Sequence, residues 1–515
     1  MYLTQTLHRN LQQNPDCPAT IYRGRVRRVS ESADRIARLA GGLSALGVQR
    51  GDRVGILALN SDRYHEYFYA VAWIGAVVNP VNIRWSPAEI AYSLSESDTR
   101  VLFVDDAFAS MVQALREQFP GLSAVIYCGD AQPPVDTLQF ESLIQETAPI
   151  EDTRTGGDEL LGVFYTGGTT GHPKGVMLSH NNILISALGS LSSGQFITPR
   201  GRLLHAAPMF HLAAIGAWTA GCLVGATHVI VPMFTPADVM KHIAEHKVTD
   251  TLLVPTMIQM LVDDSAVADR DLSSLIHLVY GASPMSEALL ERARKTLPTV
   301  GFTQGYGMTE MAPTVALLTP ADHDNAALRG AAGRAAPHVE VRIVDEDGNE
   351  VPRGEVGEIV ARGDNVMLGY WNRPDDTAAA VRDGWMHTGD GGRMDEGGYI
   401  FVVDRIKDMI ITGGENVYSA EVENALASHP AVAAAAVIGV PDSDWGERVH
   451  AVVVLLPGQR VSADEIRAHC KTQIAGYKSP RSVEFVDELP MSGAGKILKR
   501  ELRKRHWGEG VNQVS

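Results

Sequence analysis

The sequence predicts an α/β protein with largely parallel sheets in its long N-terminal part. Short runs of apolar, β-branched residues alternate there with helix-like stretches, and turns or helices bound each run. Such runs between helices are typical of parallel strands that are buried on both faces. The chain has 515 residues, which is long enough for more than two folding units.

The N-terminal elements follow from these runs. The strongest predicted strands are residues 53–59, 100–104, 122–128 and 159–165. We predict that residues 70–78, an apolar stretch interrupted by a glycine, form a helix. The last strand leads directly into a glycine-rich loop, so that loop is a candidate ligand site.

The pattern changes after about residue 333. The predicted strands 339–345, 357–361 and 399–403 are separated by Gly and Asp turns, which indicates a β-rich subdomain.

An α/β pattern returns beyond about residue 405. We predict that Ser419 is the N-cap of a helix at residues 420–429. Two strands and a further helix are expected at residues 433–440, 449–456 and 463–474. The charged segment 404–408 is the candidate linker to this small C-terminal domain.

Composition excludes several classes of protein. The formal net charge of −16 argues against a nucleic-acid partner, since phosphate backbones require clustered Lys and Arg. The four cysteines are widely spaced and form no CxxC pair, so we expect free thiols and no zinc cluster. We find no transmembrane run and no signal peptide at residues 1–16, so we expect a cytoplasmic protein without an integral membrane segment. A homodimer stays open as an oligomeric state.

The strongest local signal is the loop at residues 165–175, which reads YTGGTTGHPKG. Glycines allow backbone N–H groups to turn towards an anion, and threonine hydroxyls add donors. Lys174 supplies a point charge that suits phosphate. The alternative is a surface loop without a ligand. The candidate phosphate-binding residues are Thr166, Gly167, Gly168, Thr169, Thr170, Gly171 and Lys174.

This loop resembles the phosphate-binding signature of the adenylate-forming superfamily, which contains acyl-CoA synthetases, peptide-synthetase adenylation domains and beetle luciferases. Gly167 stands where the family usually has serine, so one hydroxyl donor is missing. Further family motifs follow in family order over essentially the whole chain. The resemblance implies ATP, Mg²⁺ and coenzyme A as ligands. It also implies an adenylation domain at residues 1–404, a hinge at 405–407 and a mobile C-terminal domain at 408–515.

Two motifs are similar to the family's adenine and metal segments. In residues 304–310, QGYGMTE, the resemblance implies that Tyr306 stacks on adenine and that Glu310 binds Mg²⁺ as a catalytic residue, with Thr166 as a second metal ligand. Carboxylate oxygen is a ligand that Mg²⁺ prefers. The weaker motif at residues 280–284 is YGASP. Other residues placed at the nucleotide by these matches are Gly281, Ala282, Ser283, Gly305, Gly307, Met308 and Thr309.

The remaining motifs lie in the last third of the chain. The resemblance implies that Asp390 holds the ribose hydroxyls, that Arg405 contacts the nucleotide and that Lys407 is the pivot. Gly413, Gly414 and Glu415 match the loop that lines the pantetheine tunnel. Lys496 matches the catalytic lysine, although Met491 stands where the family usually has a basic residue. A solvated basic cluster near the C-terminus is the alternative interpretation of Lys496.

These matches predict an acyl-CoA synthetase that activates a carboxylic acid through an acyl-adenylate. The alternatives are an adenylation protein that loads a carrier protein and a non-catalytic nucleotide binder. His211 stands near the position where amino-acid activators have an aspartate, so an α-amino acid is disfavoured and a catalytic role beside the carboxylate is expected. The small apolar residues that follow predict a roomy pocket for either a fatty acid or a hydroxycinnamate such as ferulate.

Overall fold

The structure is a computed structural model that describes residues 1–166, 173–193, 195–283, 285–413, 415–491 and 497–507. Its α-helices are α1 (Gln5–Gln13), α2 (Val29–Ala45), α3 (Asp62–Trp73), α4 (Pro87–Glu96), α5 (Val112–Gln118), α6 (Phe140–Glu146), α7 (His180–Ser192), α8 (Leu212–Val224), α9 (Pro236–His246), α10 (Pro255–Val262), α11 (Glu287–Thr296), α12 (Pro374–Ala380), α13 (Ser419–Ala427), α14 (Ala463–Gln473) and α15 (Lys499–Arg503).

The strands are β1 (Pro18–Tyr22), β2 (Arg25–Arg28), β3 (Arg53–Leu57), β4 (Val77–Pro80), β5 (Val101–Val104), β6 (Ala124–Tyr127), β7 (Leu138–Gln139), β8 (Leu160–Thr166), β9 (Lys174–Ser179), β10 (Arg202–His205), β11 (Thr227–Ile230), β12 (Asp250–Leu253), β13 (His277–Gly281), β14 (Gly301–Gly307), β15 (Thr314–Leu318), β16 (Arg334–Ala335), β17 (Glu340–Val344), β18 (Val356–Arg362), β19 (Gly369–Tyr370), β20 (Val381–Arg382), β21 (Trp385–Met394), β22 (Ile400–Arg405), β23 (Ile410–Thr412), β24 (Glu415–Val417), β25 (Val432–Asp442), β26 (Gly446–Leu455) and β27 (Ser482–Phe485).

Two large sheets form the N-terminal part, as the alternating pattern predicts. One has the strand order β16-β15-β14-β13-β12-β10-β11-β1-β2 and the other β19-β9-β8-β4-β3-β5-β6-β7. The strands at the centre of each sheet are parallel, while antiparallel strands flank them. One apolar core contains residues of both sheets and of helices α2, α3, α7 and α8, including the almost fully buried Trp218. The helices therefore join the two sheets, and the predicted α/β class is confirmed.

Two smaller sheets complete the fold. Strands β17, β18, β21, β20 and β22 form an antiparallel sheet, which is the predicted β-rich subdomain. Strands β24, β23, β26 and β25 form the C-terminal sheet, and β27 joins β26 in parallel. None of the helices in the described part of the chain combines the length and the apolar character that a membrane crossing requires.

Two local predictions are wrong. The helix predicted at residues 70–78 ends at Trp73, because Gly75 turns the backbone with φ +69° and Val77 then begins β4. Ser419 is the first residue of α13, whose N-cap is Tyr418. The Ser419 hydroxyl instead donates to Asp404 at 2.6 Å. The Ser419 hydroxyl therefore bonds to a carboxylate that is distant in sequence and does not cap the helix.

A network of buried charges connects helices α2, α3 and α6. Arg35 lies 2.6 Å from Glu66 and 2.9 Å from Glu141. The Glu66 side chain is 1% exposed, and its other close cation is Arg27 at 3.4 Å. A buried charge that loses a partner destabilises a protein strongly, whereas a matched apolar replacement of both partners does not.

We predict that Arg35→Leu lowers the free energy of unfolding by about 3 kcal/mol, because Glu66 is left buried with a weaker partner. Urea unfolding measures the loss, and Arg35→Leu combined with Glu66→Leu should recover part of it. Arg38→Leu is the matched control on the same helix, since Arg38 pairs with the exposed Asp34. Equal effects of the Arg35 and Arg38 variants would contradict the prediction.

Candidate active site

A cavity of about 670 Å³ opens where the carboxyl ends of parallel strands meet. Residues that follow β10 and β12, and the ends of β13 and β14, line one side of it. Helix α8 lines the other side with small residues. Ligands bind at this edge of open α/β sheets, because the loops there diverge and leave a crevice. The predicted site residues that line this cavity are His211, Gly281, Ala282, Gly305, Tyr306, Gly307, Met308 and Thr309.

Glycines make the strand ends at this cavity approach each other closely. Gly281 pairs with Gly305 across β13 and β14. A Cβ atom on Gly281 would lie 2.2 Å from the Gly305 carbonyl oxygen, so a side chain is excluded there. The next residue, Ala282, has φ +67°, which turns the chain away from the strand. The result is a flat backbone wall against which a planar ligand can pack.

Three predicted residues from separate motifs form one hydrogen-bonded group. The Tyr306 hydroxyl donates to Asp390 at 2.8 Å, and the Arg405 guanidinium lies 3.3 Å from the same carboxylate. The pairing of β21 with β22 places Asp390 directly opposite Arg405. Burial, and then Asp390, raise the pKa of Tyr306 well above its ordinary value, so the hydroxyl stays protonated and donates.

A second carboxylate is held in the same way. The Tyr370 hydroxyl donates to Glu310 at 2.8 Å, and the Glu310 residue is 8% exposed. The Lys174 ammonium lies 5.1 Å from the centre of the Tyr370 ring and 3.0 Å from Asp376. Burial, and then Glu310, raise the pKa of Tyr370, which keeps it a donor. Tyr370 thus connects the candidate phosphate lysine to the candidate metal ligand.

Sequence analysis missed Tyr370 and Asp376. Strand β19 brings Tyr370 close to Lys174 by pairing with β9, where Gly369 lies opposite Met177, and α12 after it carries Asp376. No local motif marks this pairing, so only a prediction of strand neighbours could have found it.

Thr166 and Lys174 lie opposite each other where β8 ends and β9 begins, at the base of the candidate phosphate loop. The predicted residues Gly167, Gly168, Thr169, Thr170 and Gly171 lie outside the described residues, as do Gly414 and Lys496.

His211 stands at the N-cap of α8 and lines the cavity, with its ring centre 4.1 Å from that of Phe210. Ala214 and Gly216 of the same helix also line the cavity. A Cβ on Gly216 would lie 3.0 Å from the Pro313 ring, so this glycine also allows close packing. The small residues of α8 therefore allow close packing of the helix and also leave space for the cavity.

The C-terminal part approaches the cavity through Met491, which lines it. Met491 and Ile497 form a β-bridge at the base of the segment that carries Lys496. Lys407 lies in a short 3-10 turn, Ile406–Asp408, after β22.

Gly413 turns with φ +62° against Trp445, and Glu415 begins β24. Several predicted site residues that the structure describes do not line the cavity. They are Thr166, Lys174, Ser283, Glu310, Asp390, Arg405, Gly413 and Glu415.

Comparisons with known proteins agree over almost the whole chain. Residues 7–371 match the family described as AMP-binding enzyme, and residues 421–496 match the AMP-binding enzyme C-terminal domain. A feruloyl-CoA synthase of Amycolatopsis sp is 41% identical over 503 residues, which cover 96% of this chain and 97% of that protein.

Two further relatives extend the comparison. The fatty acid–acyl-carrier-protein ligase ScoC of Streptomyces coeruleorubidus is 37% identical, with 100% of this chain and 98% of that protein covered. The crystal structure of the anthranilate CoA ligase AuaEII in complex with anthranoyl-AMP matches with a TM-score of 0.91 at 27% identity. That match covers 98% of this chain and 97% of the other.

The glycine wall provides a matched pair of variants. Gly281→Ala should lower stability by about 1–3 kcal/mol, because the new methyl group overlaps the Gly305 carbonyl. Gly305→Ala should fold as the wild type does, since a Cβ there meets its nearest atoms at 4.0 Å. The new methyl group of Gly305→Ala should project from the cavity wall. If the nucleotide packs against this wall, the variant should raise the KM for ATP at least about tenfold. Thermal melting and steady-state kinetics measure the two effects, and an unchanged KM in Gly305→Ala would place the nucleotide elsewhere.

Proposed function

The chain belongs to the AMP-binding enzymes, in the acyl-CoA synthetase branch of the adenylate-forming superfamily, and we propose that it activates a hydrophobic carboxylic acid with ATP and transfers the acyl group to coenzyme A. The observation that carries this proposal is the continuity of the cavity. It extends from the glycine wall at Gly281 and Gly305, past His211, to the apolar residues of α8. A nucleotide and an acid can therefore meet in one space.

The described residues fit a nucleotide. The flat wall at Gly281 and Gly305 accommodates a purine ring, and Asp390 can accept hydrogen bonds from two vicinal ribose hydroxyls. Tyr306 and Arg405 orient this carboxylate. Lys174 supplies positive charge at the base of the loop proposed to hold the phosphates.

The residues also fit Mg²⁺. Glu310 is a hard oxygen ligand whose orientation is fixed by Tyr370, and Thr166 ends β8 at the loop base. Glu310 and Thr166 would hold the ion, and Mg²⁺ supplies charge neutralisation to the phosphate oxygens when it is bound.

The proposed reaction has two half-reactions. In the first, an oxygen of the substrate carboxylate attacks the α-phosphorus of ATP, and pyrophosphate leaves with the electron pair of the broken P–O bond. Lys496 stabilises the charge that develops there, and His211 lies beside the reacting carboxylate. In the second, the thiolate of coenzyme A attacks the acyl carbon and AMP leaves.

One site would serve both half-reactions through a rotation of the C-terminal domain, residues 408–515, against residues 1–404. The pivot is proposed at residues 405–407, where β22 gives way to a single 3-10 turn. Rotation would withdraw Lys496 and bring Gly413, Gly414 and Glu415 to the adenylate, opening the thiol path. A hinge of this kind absorbs the change in a few backbone angles.

The cavity favours an acid with an apolar body. Its outer part is lined by Met233 and Met260, which are 55% and 54% exposed and suit a chain that reaches the surface. Two polar side chains of the lining bond within the protein: the Ser190 hydroxyl donates to the Ser186 carbonyl, and the Asn60 amide donates to Ala207 and accepts from Met209. Fatty acids and hydroxycinnamates both satisfy this requirement, and the lining favours neither.

A carrier protein is the second candidate acceptor. The full-length similarity to ScoC, which is named as a carrier-protein ligase, supports it. Pyrophosphate release should be followed with fatty, cinnamic and short acids, each with coenzyme A, with a phosphopantetheinylated carrier protein, and with neither thiol. Turnover that responds to coenzyme A supports the first proposal. Turnover that increases only with the carrier protein would contradict transfer to coenzyme A and would support the carrier protein as the acceptor.

We predict that Lys496→Ala slows adenylation by about 10²–10³-fold and leaves thioester formation from supplied acyl-adenylate intact, because one electrostatic stabiliser of the first transition state is lost. Pyrophosphate release and acyl-CoA formation measure the two steps separately. Lys504→Ala is the matched control from the same basic cluster, since Lys504 is exposed and pairs with Glu501. Equal loss of both half-reactions in a folded Lys496→Ala protein would refute the assignment.

We predict that Ala214→Trp lowers kcat/KM for medium or long fatty acids and for ferulate at least about tenfold more than for butyrate, because its side chain fills the cavity beside His211. Acetate should be a poor substrate of the wild type, since each buried methylene contributes about 0.8 kcal/mol. Parallel kinetics with the four acids test this, and thermal melting controls for folding. A uniform loss for every acid would show that Ala214 does not shape the acyl site, and acetate as the best substrate would contradict the roomy pocket.

A further inference from the structure

A second cluster of ligand-bearing side chains lies in the C-terminal sheet, away from the cavity. The parallel pairing of β26 with β27 places His450 opposite Ser482. Glu484 is two residues further along β27, and side chains two apart in a strand lie on the same face. The strand register therefore puts an imidazole and a carboxylate on one face of the sheet.

The segment after α15 covers this face. Leu502 of α15 belongs to the same buried apolar cluster as Val452, which lies two residues from His450 on β26. The chain continues in a turn after the helix, where His506 N–H donates to the Arg503 carbonyl at 2.9 Å. His506 consequently reaches the same place, with its ring centre 4.7 Å from that of His450.

The orientation of His450 is the second observation that indicates a ligand. Its Nδ1 lies 2.7 Å from the Ser482 hydroxyl, which can accept a hydrogen bond from Nδ1–H. The residue is 5% exposed, and its Nε2 has no hydrogen-bond partner among the described residues. Metal-binding histidines are commonly oriented in this way, with one nitrogen donating to a neighbour and the other free to coordinate.

The distances suit a small divalent ion. His450 Nε2 is 3.6 Å from Glu484 Oε2, and His506 Nε2 is 3.8 Å from the same oxygen. The three ligand atoms all lie within 4.8 Å of one another. Two ligands at about 2.1 Å from a tetrahedral ion are about 3.4 Å apart, so small side-chain movements close the site.

We propose that His450, Glu484 and His506 form a binding site for a divalent transition-metal ion of the zinc type, with water in the fourth position. Two imidazoles and one carboxylate are ligands that such an ion prefers.

Two arginines lie near the site, Arg505 beside Glu484 and Arg448 two residues from His450 on β26, and both side chains are partly exposed. Arg505 lies 3.6 Å from Oε1 of Glu484, whereas the two histidines approach the other oxygen, Oε2. The Arg505 side chain is 57% exposed and can move into water when a cation binds.

Another buried group, His65, Cys222 and His228, is less suited to a metal. Trp218 N–H donates to His65 Nδ1 at 3.0 Å, so the remaining His65 nitrogen carries a proton and has no lone pair to offer.

Metal binding would fasten α15 to the sheet. That helix directly follows the β-bridge between Met491 and Ile497, which is the base of the segment that carries Lys496. The ion would thus restrain the anchor of this segment without touching the cavity.

The test uses the full-length, untagged chain, freed of metal with a chelator that is then removed. Titration calorimetry with Zn²⁺ measures affinity and stoichiometry, and the visible absorption of added Co²⁺ reports tetrahedral coordination. The variants are Glu484→Gln and His506→Ala, both on partly exposed side chains, and their metal-free melting curves confirm folding. His469→Ala is the matched control, since His469 and His429 form a histidine pair in the same domain.

We expect one saturable Zn²⁺ site in the wild type and in His469→Ala. Each of Glu484→Gln and His506→Ala should weaken it at least about tenfold and remove the Co²⁺ absorption. Absence of a saturable site in the wild type, or wild-type affinity in both cluster variants, would overturn the proposal. Loss of binding in His469→Ala instead would assign the metal to the other histidine pair.

Discussion

The close contact between Gly281 and the Gly305 carbonyl is the constraint on which the site depends. It brings the ends of β13 and β14 together without side chains, so the cavity has a backbone wall on one side. Because the wall is part of a sheet, its position is fixed by the hydrogen bonds of neighbouring strands and not by a loop. The residues that continue β14, including Tyr306, are then held at the cavity edge. A rigid wall of this kind allows polar groups to be placed before a ligand arrives.

Two tyrosine–carboxylate pairs use that rigidity. Tyr306 donates to Asp390, and Tyr370 donates to Glu310, each at 2.8 Å. In one pair Tyr306 of β14 bonds to Asp390 of β21, and in the other Tyr370 of β19 bonds to Glu310 in the 3-10 turn after β14, so each bond also ties two parts of the chain together. Burial raises the pKa of each tyrosine, so each hydroxyl stays protonated and donates to its carboxylate. The carboxylates therefore keep a defined orientation at little cost when a ligand binds.

The sequence was informative wherever chemistry is local. Alternating apolar runs predict the parallel strands, and the family motifs assign Tyr306, Asp390 and Arg405 to one nucleotide. The structure brings these three side chains together. Contacts set by strand pairing could not be predicted: Tyr370 reaches Lys174 only because β19 joins β9. The helix predicted at residues 70–78 failed for a related reason. Apolar residues of a helix and of a following strand form one continuous run, and the turn at Gly75 is its only break.

Charge explains how a protein with a net charge of −16 can accommodate polyanions. Within the described residues, the cations near the site are already paired: Lys174 with Asp376, and Arg405 with Asp390. These pairs are partly exposed, so breaking them costs about 1 kcal/mol or less. A phosphate carries more negative charge than the carboxylate it replaces beside the Lys174 ammonium. Asp376 therefore acts as an exchangeable partner that keeps Lys174 in place. Binding of an anionic ligand then becomes a replacement of one partner by another, and no isolated cation has to be maintained in an acidic protein.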